Sequence, residues 1–110
     1  MAAVKEGLSQ DQLNRVARTL KAVAHPLRLR IIETLRSGEH SVGEIVQAVG
    51  AKPAFTSQQL GLMRDRGIVD CRRDGAHVYY RLANQHVLKV IQCIRRSCDA
   101  DKRAGGRHAR

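Results

Sequence analysis

The chain has 110 residues, enough for one domain but not for a large core. Its 20 lysines and arginines against 10 aspartates and glutamates leave a formal charge of +10, which favours a polyanion or an anionic surface over an acidic small molecule. The aromatic residues, Phe55, Tyr79 and Tyr80, are too few for the stacking platforms of a single-strand binder, and no apolar run approaches the ~20 residues of a membrane span.

Residues 1–8 are expected to fray. Ser9 with Gln12 has the spacing of a capping box and opens a first helix. Leu13, Val16, Ala17, Leu20, Val23 and Ala24 then recur at helical spacing. His25-Pro26 ends that helix, because the residue before a proline avoids the helical region, and His25 reads as a packing or capping group. Pro26 suits the first turn of helix two, where its missing N–H costs nothing. Leu27, Leu29, Ile31, Ile32 and Leu35 should supply that helix's buried side, and Gly38 its stop. Ser41 and Glu44 form a second capping box, opening helix three, whose buried face is Val42, Ile45, Val46 and Val49. Gly50 ends it. Lys52-Pro53 opens helix four, which should run to about Arg66 with Leu60, Leu62 and Met63 inward. Thr56, Ser57, Gln58, Gly61, Arg64 and Asp65 are left for other surfaces. Gly61 in mid-helix costs ~1 kcal/mol relative to alanine, which fits a close approach by DNA or by another helix.

Ile68 to Arg73 and Ala76 to Leu82 flank Asp74-Gly75, the strongest short signal for a tight hairpin. Their alternation puts one face on the helices and cations on the other. Asn84 can cap helix five, which should run to about Cys98 with Val87, Ile91, Ile94 and Cys98 as its apolar stripe. Residues 99–110 have no apolar periodicity and read as a disordered basic tail carrying only +2 of the charge. The expected organisation is a flexible 1–8, a domain over 9–98 and a tail over 99–110. The order is α-α-α-α-β-β-α: mainly α, with a two-stranded β-wing. Two helices about a tight turn, followed by a basic hairpin, define a winged helix-turn-helix. The apolar stripes of the first and last helices exceed what one small core can bury, so a homodimer paired through the terminal helices is expected.

That fold places Ser57, Gln58 and Gln59 in the first turns of a recognition helix. Glutamine can pair bidentately with adenine, and serine is permissive. Thr56 has two open readings: a contact to a thymine methyl or phosphate, or a buried β-branched residue. Arg64 can reach phosphate or guanine. Arg72, Arg73 and His77 on the wing would lie near phosphate or minor groove, with a solvated charged face as the plainer alternative. The expected partner is double-stranded DNA, and a two-fold dimer requires an imperfect palindrome with half-sites ~34 Å apart. No phosphate loop, metalloprotease motif or nucleophile elbow is present, so no catalytic residue is assigned and an enzyme is not expected.

The stretches LKAVAHPLRLRIIETL, SVGEIVQAVG and TSQQLGLMRDRGIVDCRRDGAHVYYRL together resemble the ArsR/SmtB family of bacterial repressors. The resemblance spans Leu13 to Cys98. It implies a winged-helix dimer that sits on an operator and is released by an inducer. This chain departs from the family's pattern at Lys52-Pro53, where a serine cap is common, and at Phe55, where a small residue is usual. The operator sequence therefore does not carry over.

The resemblance also implies sensing of soft metals or thiol chemistry. The cysteine-bearing run of helix three is here Ser41-Val42-Gly43, without a thiol. Of the zinc pattern on the last helix only His86 survives, among Asn84, His86, Ser97 and Ala100. Cys71, Cys93 and Cys98 remain, without C-x-x-C spacing and behind an N-terminus that lacks a signal-peptide core, so reduced thiols in a bacterial-type cytoplasm are expected. His86 and Cys93 share a helical face, whereas Cys93 and Cys98 diverge by ~140° and need help from elsewhere to hold one ion. The candidate inducer site is Cys93, Cys98 and His86, for a soft metal or metalloid ion or a thiol-reactive species. Simple packing remains open for each thiol. A constitutive DNA-binding regulator, or a winged-helix module for protein or structured RNA, also remains open.

Overall fold

Ser9 and Ser41 each start a helix by the same reciprocal exchange. The Ser9 hydroxyl accepts from the Gln12 N–H at 3.1 Å while the Gln12 side chain accepts from the Ser9 N–H at 2.8 Å. Ser41 and Glu44 repeat the pattern at 3.1 and 2.9 Å. Both boxes satisfy helix-end donors that would otherwise lack partners. The computed structural model describes residues 7–103. In chain order it has α1 (Gln10–Val23), α2 (Pro26–Leu35), β1 (His40–Ser41), α3 (Val42–Val49), α4 (Pro53–Asp65), β2 (Val69–Asp74), β3 (His77–Leu82) and α5 (Gln85–Arg103).

His25 caps α2: its Nδ1 accepts from the Leu27 N–H at 3.1 Å. Gly50 closes α3 with φ 71°, a left-handed conformation that only glycine adopts without strain, and so makes the sharp exit toward α4 possible. Asn84 caps α5, its Oδ1 accepting from the N–H groups of His86 and Val87 at 3.0 and 3.4 Å.

Two differences from expectation concern the elements themselves. The sheet has three strands, in the order β1-β3-β2, where a two-stranded hairpin was expected. His40 and Ser41 pair with Tyr80 and Tyr79, a strand too short to show any alternation in sequence. The last helix continues past Cys98 to Arg103. The expected disorder of residues 104–110, and of residues 1–6, lies outside the described residues.

The core gathers Ile31, Ile32 and Leu35 of α2, Ile45 of α3, and Leu60 and Met63 of α4 under the sheet residues Val69, Tyr80 and Leu82. Ile68 and Val87 complete it from either end of the hairpin. Leu62, expected inward, is exposed. It lies about 200° around the helix from Leu60 and about 100° from Met63, so it cannot share their face. Leu29 is likewise exposed, on the side of α2 that borders a groove with α5. Along α1 only Ala22 and Val23 are buried, and Leu13, Val16 and Leu20 are left about half exposed.

Candidate nucleic-acid interface

The recognition helix, α4, is held by its inward face. Thr56, Gln59, Leu60 and Met63 are all buried, which leaves Ser57, Gln58, Gly61 and Arg64 on the opposite side. Two of the four expected reading residues therefore turn inward. Thr56 is fully buried, and its Oγ1 finds no hydrogen-bond partner among the described residues. Gln59 is 7% exposed, and its Oε1 accepts from Arg28 Nε at 2.7 Å. The physical reason is the 100° step of the helix: residues 56, 59, 60 and 63 form one stripe, and that stripe faces α2 and the sheet. Ser57 and Gln58 are exposed as expected. A Cβ placed on Gly61 would meet nothing within 4 Å among the described residues, so none of them presses on that side.

The wing has two unlike faces. In register, Val69, Cys71 and Arg73 oppose Leu82, Tyr80 and Val78, while Asp70, Arg72 and Asp74 oppose Arg81, Tyr79 and His77. Directly opposed residues share a face. Arg73 thus lies on the face that carries Cys71, toward α4, and not on the outer face with Arg72. Arg64 reaches the same face from α4, with Nη1 at 3.7 Å from Cys71 Sγ and Nη2 at 3.8 Å from Asp65. Arg73 is exposed and, among the described residues, has no carboxylate partner. His77 is exposed at the tip, its ring 6.2 Å from that of Tyr79.

Arg72, expected near phosphate or minor groove, is engaged by neighbours on the sheet's outer face. Its Nε and Nη2 each donate to Glu39 at 2.8 Å, Nη1 lies 3.8 Å from Asp74, and the guanidinium stacks over the Tyr79 ring at 4.7 Å. The hydrogen bond from Arg72 holds the Glu39 carboxyl below its ordinary range, and the same bond holds the Arg72 proton more firmly. Sequence reasoning missed Arg28, Glu39 and Tyr79 as partners because they sit about thirty positions from the groups they engage or on the neighbouring strand. No local spacing signals such pairs.

His86, Cys93 and Cys98 are all exposed on α5, and Cys71 is half-buried against Arg64. Among the described residues, no three His, Cys, Asp or Glu side chains come together where they could hold a metal ion. A chelating set within one chain therefore does not fit these residues.

A pair of helices joined at a left-handed glycine, with a basic β-ribbon beside the second, defines a winged helix-turn-helix protein of the DNA-binding class. Residues 25–70 match the model of the bacterial regulatory protein, arsR family. Over 85 residues the chain is 39% identical to a biofilm growth-associated repressor of Xylella fastidiosa, spanning 77% of this chain and 75% of that protein. The chain belongs to the arsR family and is a DNA-binding transcriptional repressor of that family. The AntR antimony-specific transcriptional repressor superposes with a TM-score of 0.82 at 26% identity, covering 94% of this chain and 96% of that one. The homodimeric winged helix-turn-helix DNA-binding domain of Mb0332 from Mycobacterium bovis gives 0.71 at 33% identity, covering 86% and 90%.

Proposed function

We propose that the protein is a homodimeric, sequence-specific repressor that reads an imperfect palindrome in double-stranded DNA and leaves it when a small inducer arrives. The observation that carries this reading is the division of α4: Thr56 and Gln59 anchor it, and Ser57 and Gln58 are offered outward beside the small, open Gly61. Ser57 and Gln58 would meet base edges, and Arg64, Arg73 and His77 the sugar–phosphate backbone.

Dimerisation is supported by the apolar residues left on the terminal helices. Leu13 (46%), Val16 (45%), Leu20 (50%), Val90 (47%) and Ile94 (58%) remain exposed, and α1 and α5 flank an apolar groove of about 350 Å³. Fully burying such a side chain contributes about 1.5–3 kcal/mol, and about half of that remains to be gained at each of these half-exposed positions, so covering the seam is favourable. Mb0332, which shares the fold, is described as homodimeric.

The inducer in this reading is a soft metalloid or thiol-reactive species that meets Cys93 and Cys98. Both thiols are exposed on α5, and AntR is described as antimony-specific. A shift of α5 would change the angle between the two winged helices, and a coupling of ~1–3 kcal/mol is ordinary for such a device. The setting is a bacterial-type cytoplasm, where thiols stay reduced.

Two measurements test the proposal together. Sedimentation should find a dimer that Leu20→Glu splits. Mobility shift should find one duplex, selected by the protein from a randomised pool, bound far more tightly than its scrambled counterpart. A monomer, or equal binding to both duplexes, overturns it.

A further inference from the structure

The wing leaves the sheet at one row of residues. β1 pairs with β3 only at Tyr80 and Tyr79, so the hairpin beyond Tyr79 is a bare two-stranded ribbon. An isolated two-stranded ribbon has little stiffness of its own in water. Arg73 and His77, the cations proposed to meet DNA, both lie on that ribbon. Arg72 stands at its root. From β2 its guanidinium passes over the ring of Tyr79 on the central strand and ends on Glu39, immediately before β1. Ser41, two residues on from Glu39, caps α3, the first helix of the helix-turn-helix. Side chains from β2, from β3 and from the segment just before β1 are thus joined across the sheet's outer face.

Resting on the DNA-binding reading above, we propose that Glu39, Arg72 and Tyr79 form a clamp that sets the direction of the wing relative to α4, and that Glu39, although acidic, strengthens binding to DNA. Two chemical facts separate this from simple attraction. Two of the five Arg72 N–H groups, on Nε and Nη2, are committed to Glu39, and Nη1 lies 3.8 Å from Asp74. The charge of Glu39, with Asp74 nearby, offsets that of Arg72 and so lowers its attraction for a phosphate. A bidentate, stacked guanidinium is also the geometry that a lysine cannot reproduce. Glu39, Arg72 and Tyr79 are positioning residues, acting through Arg73 on the ribbon they hold.

The test uses the full chain and the duplex it selects from a randomised pool. Failure to select any duplex removes the DNA-binding reading itself, separately from the clamp. With the duplex in hand, Glu39→Gln should weaken binding roughly two- to fivefold, the scale of an exposed ion pair. Arg72→Lys, which keeps the charge, should do the same. Glu39→Gln should also lower the salt dependence of binding toward that of Arg73→Ala, because the ribbon no longer delivers its phosphate contact. Added to Arg73→Ala, it should change affinity little further, since both remove one contact. Thermal melts confirm that each variant is folded at the assay temperature. Unchanged or tighter binding by Glu39→Gln, full retention by Arg72→Lys, or an effect that simply adds to that of Arg73→Ala would each overturn the clamp.

Discussion

Arg28 and Gln59 are joined across 31 positions of sequence by a 2.7 Å bond from Nε to Oε1, and the same guanidinium donates from Nη1 to the Ala22 carbonyl at 3.1 Å. One side chain on α2 therefore ties the end of α1 to the inward face of the recognition helix. This bond holds the Gln59 side chain on the inward face of α4. Gln59→Met, of similar size, should lower stability by about 1.5–3 kcal/mol, because it strips a half-buried guanidinium of its acceptor. The preferred operator bases should not change. Urea unfolding and a base-by-base competition assay check the two halves, and an altered base preference at unchanged stability would place Gln59 in the groove after all.

Gln58 and Arg73 should behave in opposite ways. Gln58→Ala is expected to relax preference by ~1–3 kcal/mol at one position per half-site, as loss of a bidentate base contact does. Arg73→Ala should weaken binding to every duplex about equally and flatten the salt slope by about one unit per subunit. Binding isotherms at several salt concentrations, on selected and single-base variant duplexes, separate them. Intact affinity and intact base preference in Gln58→Ala would remove the outward face of α4 from consideration.

Thr56 carries a hydroxyl into the core with nothing to bond, among the described residues. Thr56→Val keeps the shape and deletes the unsatisfied oxygen. The expected gain is about 1 kcal/mol, seen as a raised midpoint in thermal or urea unfolding. A clear loss of stability would mean that the oxygen has a partner, such as a buried water.

Much of this architecture was legible where the signal is local. The reciprocal pairs Ser9–Gln12 and Ser41–Glu44, the Asn84 cap and the Asp74-Gly75 turn each fall within four residues, and each forms as its spacing required. The site was legible by half. Ser57 and Gln58 follow from the helical step once the inward stripe is known, but that stripe includes Thr56 and Gln59, which look polar in sequence. Gln59 finds its inward partner in Arg28, far away in the chain, and Thr56 turns inward with no partner among the described residues. The Glu39–Arg72 bond, across 33 positions, and the two-residue β1 that brings Glu39 within reach are likewise products of tertiary pairing and leave no periodicity to read. Leu62 shows the converse error: apolarity beside Leu60 and Met63 suggested burial, but its angular position forbids it.

The Glu39 carboxyl also gives the fold an acid limb. Its pKa lies below the ordinary glutamate value of 4.5, chiefly because Arg72 donates to it, with the charges of Arg72 and Arg81 helping and burial opposing. A carboxylate with a lowered folded-state pKa adds its stabilisation in full above the ordinary value and loses it as the pH falls through the lowered one. The pair should therefore be intact at neutral pH and weaken only on the acid side of 4.5. Glu39→Gln should flatten the fall of the melting midpoint in that acid range. An equally steep acid limb in the variant would show that Glu39 is not linked to folding.

Cys93 and Cys98 put the inducer proposal at most direct risk. Both thiols are exposed on α5. Replacing the two by alanine should leave the affinity for the selected duplex within about twofold, since neither thiol is among the groups proposed to meet DNA and exposed substitutions shift free energies by only a few tenths of a kcal/mol. Arsenite, antimonite or polysulfide, added under reducing and non-reducing conditions, should release the unmodified chain from DNA and leave the double variant bound. Release of both proteins alike would move the sensing group elsewhere, with half-buried Cys71, against Arg64, the remaining thiol. Release of neither would make the chain a constitutive regulator.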